Sequence, residues 1–229
     1  MNSEISLETK IKLIEFLKDF TTESRIKRFE DVIQFRTRHI TVALEDIYQS
    51  HNSSAVLRSC DCFGIQDVHI IESKNAHIVN PDIALGSSQW LDIKKYSHSE
   101  NNTKYCIENL KNLGYQVYAT TPHKNDCLIN DLNIENKVAL IFGTEADGLS
   151  ETALDLADGF VKIPMFGFTE SFNISVSAAI CMFNLTQRLR ESKVNWKLSQ
   201  SEEVDIKLNW LKQTIKSSES LEKKFLANL

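Results

Sequence analysis

Between residues 40 and 192, apolar runs of strand length alternate with segments of helical periodicity. Strands are predicted at Ile40–Leu44, Val68–Glu72, Gln116–Thr120, Val138–Phe142 and Phe160–Ile163. Helices are predicted between and after them. One starts at the capping residue Asn52, runs to Phe63 and stops at Gly64; another spans about 100–113 and ends at Gly114. A short helix opens after Ser150, and a longer one runs from Asn173 to about Ser192. Residues 73–98 read as loop with short β segments. Such alternation buries its strands best in a mostly parallel sheet with helices on both faces, so the expected class is α/β.

Helical extensions flank this region. Leu7, Ile11, Ile14 and Leu17 share one face of a helix over 6–20, and Ile26, Phe29 and Ile33 mark a second over about 23–36. At the other end, Val204, Leu208, Leu211 and Ile215 recur at i, i+4, i+7 and i+11, which predicts one long helix over about 200–227. The expected organisation is a helical extension over 1–38, a central α/β domain over 39–192 and a second extension over 193–229, each extension too short to fold alone.

Composition excludes several classes. No apolar run reaches the roughly 18 residues of a membrane span, and the N-terminus lacks the basic-then-apolar layout of a signal peptide, so a cytoplasmic protein is expected. The five cysteines include no Cys-x-x-Cys pair and the six histidines no His-x-x-x-His pair, so neither a disulfide framework nor a structural metal is expected. Gly-x-Gly-x-x-Gly, the P-loop and the Gly-x-Ser-x-Gly elbow are all missing, against a dinucleotide oxidoreductase, a P-loop NTPase and an α/β-hydrolase.

The net charge of −5 is unevenly spread. Residues 24–40 hold Arg25, Lys27, Arg28, Arg36 and Arg38 against Glu30 and Asp31, and residues 186–229 hold nine Lys/Arg against six Asp/Glu. Basic ends on an acidic middle fit either solvated helix faces or a phosphate-contacting surface built from both ends.

Three blocks carry chemistry. The first is Asn52-Ser-Ser-Ala-Val-Leu-Arg58, where the apolar neighbours of Arg58 predict a partly buried stem that needs an anionic or carbonyl partner. The second is Val138-Ala-Leu-Ile-Phe142-Gly143-Thr-Glu145, an apolar strand entering an acidic turn; Gly143 lets a ligand approach the backbone, and Glu145 is suited to pair with Arg58 or touch a substrate. The third is Ile163-Pro-Met165-Phe-Gly167-Phe-Thr-Glu-Ser171-Phe172-Asn173, a loop between a strand end and a helix start, where α/β proteins bind ligands. Singly, each also reads as an ordinary connection.

In order and spacing, the three blocks together resemble the motifs of the SpoU/TrmH branch of the SPOUT RNA methyltransferases. The flanking helices, and Leu85-Gly-Ser-Ser-Gln-Trp90, are similar to those of the branch that methylates guanosine 18 in the tRNA D-loop. The resemblance implies a deep C-terminal trefoil knot, a homodimer whose active sites draw on both subunits, and S-adenosylmethionine as cofactor. It implies cofactor contacts from Thr120, Gly143, Ile163, Met165 and Phe172, and catalysis of methyl transfer to a ribose 2′-OH by Arg58 with Asn52, Glu145, Ser171 and Asn173. For Arg58 two roles stay open: proton acceptor, or clamp on a phosphate and on developing oxyanion charge. The second suits a guanidinium, which stays protonated. Arg25, Lys27, Arg28, Arg36 and Arg38 are the expected tRNA contacts. The same reaction on ribosomal RNA or another tRNA position, and a non-catalytic RNA-binding protein of this fold, are the competing readings.

Overall fold

The computed structural model describes residues 5–73, 84, 86–122, 127–144 and 147–228. The chain divides into two compact units: Thr37–Trp196, and Met1–Arg36 together with Lys197–Leu229.

The α/β unit contains strands β1 (Ile40–Glu45), β2 (Asp67–Ile71), β3 (Asp92–Tyr96), β4 (Tyr115–Thr120), β5 (Cys127–Leu128), β6 (Lys137–Phe142) and β7 (Gly159–Lys162). They form one sheet in the order β3-β2-β1-β6-β4-β7-β5, and among the described residues every pairing is parallel. In the helical unit lie α1 (Leu7–Lys18) and α2 (Glu23–Ile33); in the α/β unit, α3 (Ser50–Phe63), α4 (Asn102–Asn112), α5 (Glu151–Leu156) and α6 (Ile174–Glu191); α7 (Gln200–Thr214) and α8 (Ser218–Leu226) complete the helical unit.

Side-chain alternation along the strands builds two cores. Ile40, Val42, Leu44, Val138, Leu140 and Phe142 face α3 and α6, meeting Val56, Leu57 and Cys60 on one and Ala178, Met182 and Leu185 on the other. Ala43, Val117, Ala139 and Ile141 face the opposite way, toward Cys106, Ile107 and Leu110 of α4 and Ala153 of α5. With every strand parallel, all carboxyl ends lie at one edge of the sheet, and the loops that follow β4, β6 and β7 converge there.

Several details depart from the sequence reading. Asn52 does not cap α3: Gln49 is the N-cap residue, and Asn52 lies buried in the first turn, its Nδ2 donating to Gln49 Oε1 at 3.0 Å. The two-residue strand β5 was not anticipated; it is too short to show a period. In the helical unit the expected single C-terminal helix is two. The stripe Val204, Leu208, Leu211 and Ile215 is buried as a set, but Ile215 is extended (φ −95°, ψ 113°) and α8 restarts after Ser217. The break falls where the β-branched pair Thr214-Ile215 meets serines whose hydroxyls compete for backbone groups: Ser218 Oγ donates to the Lys212 carbonyl at 2.9 Å. Trp210 is also buried, its ring tilted 52° against that of Phe29 with centroids 5.3 Å apart, and α7 packs on both α1 and α2.

Two expected phosphate contacts prove to be internal. Arg36 is 2% exposed, with its guanidinium carbon 5.4 Å from the centre of the Trp210 ring. Arg38 bridges Asp67, at 2.9 Å, and Asp92, tying the amino ends of β2 and β3 together at the edge opposite the carboxyl-end loops. Both are corrected from surface cations to structural ones. Arg25, Lys27 and Arg28 lie on α2 and are exposed.

Candidate active site

A cavity of about 300 Å³ opens at the carboxyl ends of β4, β6 and β7. The β4 end contributes Thr120, Thr121 and Pro122; the β6 end Phe142–Thr144 and Asp147–Leu149; the β7 end Val161–Ile163 and Met165; and the approach to α6 Glu170–Phe172. Ile174, Ser177 and Cys181 of α6 and Leu154 of α5 form the rest of its wall.

Each loop is held by hydrogen bonds of its own residues. Thr120 Oγ1 donates to the Ile141 carbonyl at 2.7 Å, and the Thr121 N–H to the Val161 carbonyl at 3.1 Å, locking the three strand ends together. After β6 the chain folds back on itself: the Thr144 N–H donates to the Gly148 carbonyl at 2.9 Å and the Gly148 N–H to the Thr144 carbonyl at 3.0 Å. That return explains Gly143. A Cβ there would lie 2.2 Å from the Gly148 carbonyl oxygen and 2.5 Å from the Leu149 nitrogen, so the space a side chain would need is filled by the protein's own backbone, not kept open for a ligand as the sequence suggested. Glu145 lies outside the described residues.

At the third loop, Asn173 caps α6. Its Oδ1 accepts the Ser175 N–H at 2.8 Å and the Ser175 hydroxyl at 2.6 Å, while its Nδ2 donates to Asn52 Oδ1 at 3.1 Å. Gln49, Asn52 and Asn173 thus form a chain of side-chain amides joining the N-termini of α3 and α6. Ser171 stands two residues before the cap, exposed and on the cavity wall. The cap lies beside the cavity, because Ile174 and Ser177 of the same helix line it.

Among the residues expected from sequence, Thr120, Gly143, Ile163, Met165, Phe172 and Ser171 line the cavity. Asn52 and Asn173 meet beside it. Arg58 does neither: it is exposed on α3 and forms no ion pair or hydrogen bond among the described residues, so the partly buried, partnered arginine expected from its neighbours is corrected. Six residues on from Asn52, it faces away from the side of α3 that packs on α6. Ser177 and Cys181 were missed, although their spacing from Ile174 (i+3 and i+7) marks them on one helix face. Burial pushes the Cys181 thiol up to about 12, so it stays protonated and serves the wall as a small apolar group.

The lining matches a nucleoside-bearing ligand. Leu149, Leu154, Val161, Ile163, Met165 and Phe172 offer an apolar slot, and threonine and serine hydroxyls and loop backbone offer polar contacts at its mouth. Among the described residues no group of His, Cys, Asp and Glu could hold a metal ion, and no helix is long and apolar enough to cross a membrane.

The sequence profile of the SpoU rRNA methylase family matches residues 39–183. The tRNA (guanosine(18)-2′-O)-methyltransferase of Borreliella burgdorferi is 43% identical over 212 residues, 93% of this chain and 95% of that protein. The enzyme of the same name from Thermus thermophilus is 35% identical over 74% of this chain and 86% of its own length. Among solved structures, the A. aeolicus TrmH/SpoU tRNA modifying enzyme superposes with a TM-score of 0.75 at 26% identity, covering 84% of this chain and 98% of that one. The SpoU methyltransferase AviRb from Streptomyces viridochromogenes, solved with AdoMet, shares the fold at a TM-score of 0.59 and 21% identity over 71% of this chain and 62% of its own.

Proposed function

This chain belongs to the SpoU rRNA methylase family, and on that premise we propose that it transfers a methyl group from S-adenosylmethionine to the ribose 2′-OH of guanosine 18 in tRNA. One observation carries the choice of substrate: similarity to a tRNA guanosine-18 enzyme extends over 93% of the chain, beyond the 39–183 region common to the family and into the terminal helices.

S-adenosylmethionine, when bound, supplies an electrophilic methyl group. The protein's part is to hold, orient and shield. The apolar walls of the cavity receive the adenosine, and the loops after β4, β6 and β7 hold it through their backbones. Ser171, with Asn173 beside it, orients polar groups at the cavity mouth. Arg58 has five donors and no acceptor, so its role is to clamp a phosphate of the RNA and steady negative charge as the 2′-oxygen attacks; the hydroxyl proton leaves to solvent or to a phosphate oxygen. Glu145 helps position Arg58 or the third loop.

Because Arg58 does not line the cavity of its own chain, the site is completed by a second copy. A surface for that copy lies on α6, where Val176, Ala179, Ile180 and Phe183, spaced i, i+3, i+4 and i+7, form an apolar row with Val176 and Phe183 exposed. In the dimer each arginine serves its partner's cavity. The loops that hold the cofactor form the trefoil knot of this family, and the protein works in the cytoplasm.

Arg25, Lys27 and Arg28 contribute to the tRNA surface. Neutralising them together weakens tRNA binding and flattens its salt dependence while leaving cofactor binding unchanged. The function itself is tested by incubating the purified protein with labelled S-adenosylmethionine and tRNA transcripts that carry either guanosine or another base at position 18. Labelling of the guanosine transcript alone is expected. Equal labelling of both undercuts the position, and labelling of ribosomal RNA in place of tRNA moves the enzyme to the other substrate class.

A further inference from the structure

Among the described residues the sheet holds a buried carboxylate that takes no part in the chemistry above, yet one of its partners, Ser150, directly follows the cavity-lining Gly148 and Leu149. Glu45 ends β1 and is 3% exposed, on the face opposite α3 and α6. Its Oε2 accepts the Ser150 backbone N–H at 2.9 Å; its Oε1 accepts the hydroxyls of Ser150 at 2.7 Å and of Thr103 at 2.5 Å. No Lys, Arg or His forms a salt bridge with it among the described residues. Its charge is met instead by these three donors and by two helix N-termini, because Thr103 lies in the first turn of α4 and Ser150 caps α5 by accepting the Ala153 N–H at 3.1 Å.

We propose that Glu45 is a positioning residue for the methyl donor, acting through Ser150 on the loop after β6. Gly148 and Leu149, immediately before Ser150, line the cavity, and paired hydrogen bonds tie Thr144 and Gly148 to each other as one piece. That piece has two fixed points, its emergence from β6 and its anchor at Ser150. The close fit of Gly143 against Gly148 and Leu149 leaves little slack between them. Removing one charged acceptor at Glu45 weakens the anchor of Ser150, whose donors can turn to solvent instead, and the turn is released from its fixed point. The cavity wall moves with it. The proposal rests on the reading of this cavity as the S-adenosylmethionine site.

The test is calorimetric titration of S-adenosylmethionine into full-length wild type, Glu45→Gln and Ile107→Val, with melting temperatures and steady-state kinetics on tRNA. Ile107→Val loosens the core on the same sheet face, against which Leu149 also packs, while leaving every hydrogen bond of Glu45 in place. Glu45→Gln is expected to raise the Kd and KM for S-adenosylmethionine about ten-fold, as loss of a buried charge-assisted hydrogen bond implies. The KM for tRNA and kcat at saturating cofactor stay within about two-fold of wild type. Ile107→Val lowers the melting temperature and leaves the Kd unchanged. Wild-type affinity in Glu45→Gln overturns the proposal, and so does an equal loss of affinity in Ile107→Val, which marks the effect as general loosening. Failure of the wild type itself to bind S-adenosylmethionine overturns the reading of the cavity instead.

Discussion

On the sheet face covered by α4 and α5, polar side chains are tied to one another. His69 Nδ1 lies 2.8 Å from the Tyr96 hydroxyl, which accepts the Asn109 amide at 3.0 Å, and Glu45 accepts three hydrogen bonds from two residues. On the face covered by α3 and α6, Asn52 and Asn173 bond to each other, but Arg58 stands exposed with no partner among the described residues, and Val176 and Phe183 of α6 lie open to solvent. One face spends its polar groups on the fold. The other leaves a cation without a partner among the described residues and an apolar row partly open to solvent, as the proposed active site, completed by RNA and a second subunit, requires. Apart from Glu45, which reaches the cavity through Ser150, substitutions on the first face should therefore be read in stability, and those on the second in turnover.

The largest effect is expected at Arg58. Arg58→Ala should lower turnover by about 10²–10⁴-fold, the range for loss of a charge-stabilising or proton-transfer group, with cofactor affinity and melting temperature unchanged because nothing in the fold depends on it. Full turnover in this variant would remove Arg58 from the mechanism under either of its readings.

His69 should give the largest stability effect, confined to acid. Burial, and then the charge of Lys94, push its pKa down to about 4. The unfolded imidazole takes up its proton near pH 6.5 and the folded one only near 4, so the unfolded state binds more protons in between. The stability carried by the neutral ring is complete above about pH 6.5 and falls by roughly 3 kcal/mol as the pH drops to about 4. Thermal melts across that window should show a steeper acid loss for wild type than for His69→Gln; parallel curves would contradict the assignment.

Gly143→Ala should cost about 1–3 kcal/mol, as overpacking against the Gly148 backbone implies, and should also weaken cofactor binding because the displaced turn is cavity wall. A melting temperature equal to wild type would mean the turn is slack. Asn173→Ala should cost about 1 kcal/mol through loss of the α6 cap, and it sharpens the comparison because its effect on turnover should exceed its effect on stability. Denaturant melts and single-turnover assays on one preparation measure both.

The α/β alternation was legible because each strand is a compact apolar run and most helices carry a polar start or a glycine stop; α6 begins at Asn173 and α3 ends at Gly64, as the pattern implied. Loops that line the cavity were legible for the same reason: they follow strand ends. What escaped the sequence depends on partners distant along the chain. Asn52 has a capping side chain, yet it is used from inside the first turn, where Asn173, 121 residues away, meets it. Arg36 resembles its exposed neighbours Arg25 and Arg28, and only the arrival of Trp210 buries it. The apolar neighbours of Arg58 suggested burial, but they lie on other sides of the helix. Glu45 ends a mostly apolar strand and carried no motif to single it out; its proposed role comes from Thr103 and Ser150, brought to it by the fold.

The central claim, that the exposed arginine of α3 serves methylation of one ribose in tRNA, is tested most directly by nucleotide-resolved mapping of 2′-O-methyl groups. The samples are tRNA and rRNA from cells that lack this protein, and from the same cells given back wild type or Arg58→Ala. The account predicts that methylation at guanosine 18 of tRNA is absent without the protein, restored by wild type and not restored by Arg58→Ala, with rRNA unchanged throughout. Loss of a ribosomal methyl group with guanosine 18 intact, or full restoration by Arg58→Ala, would contradict it.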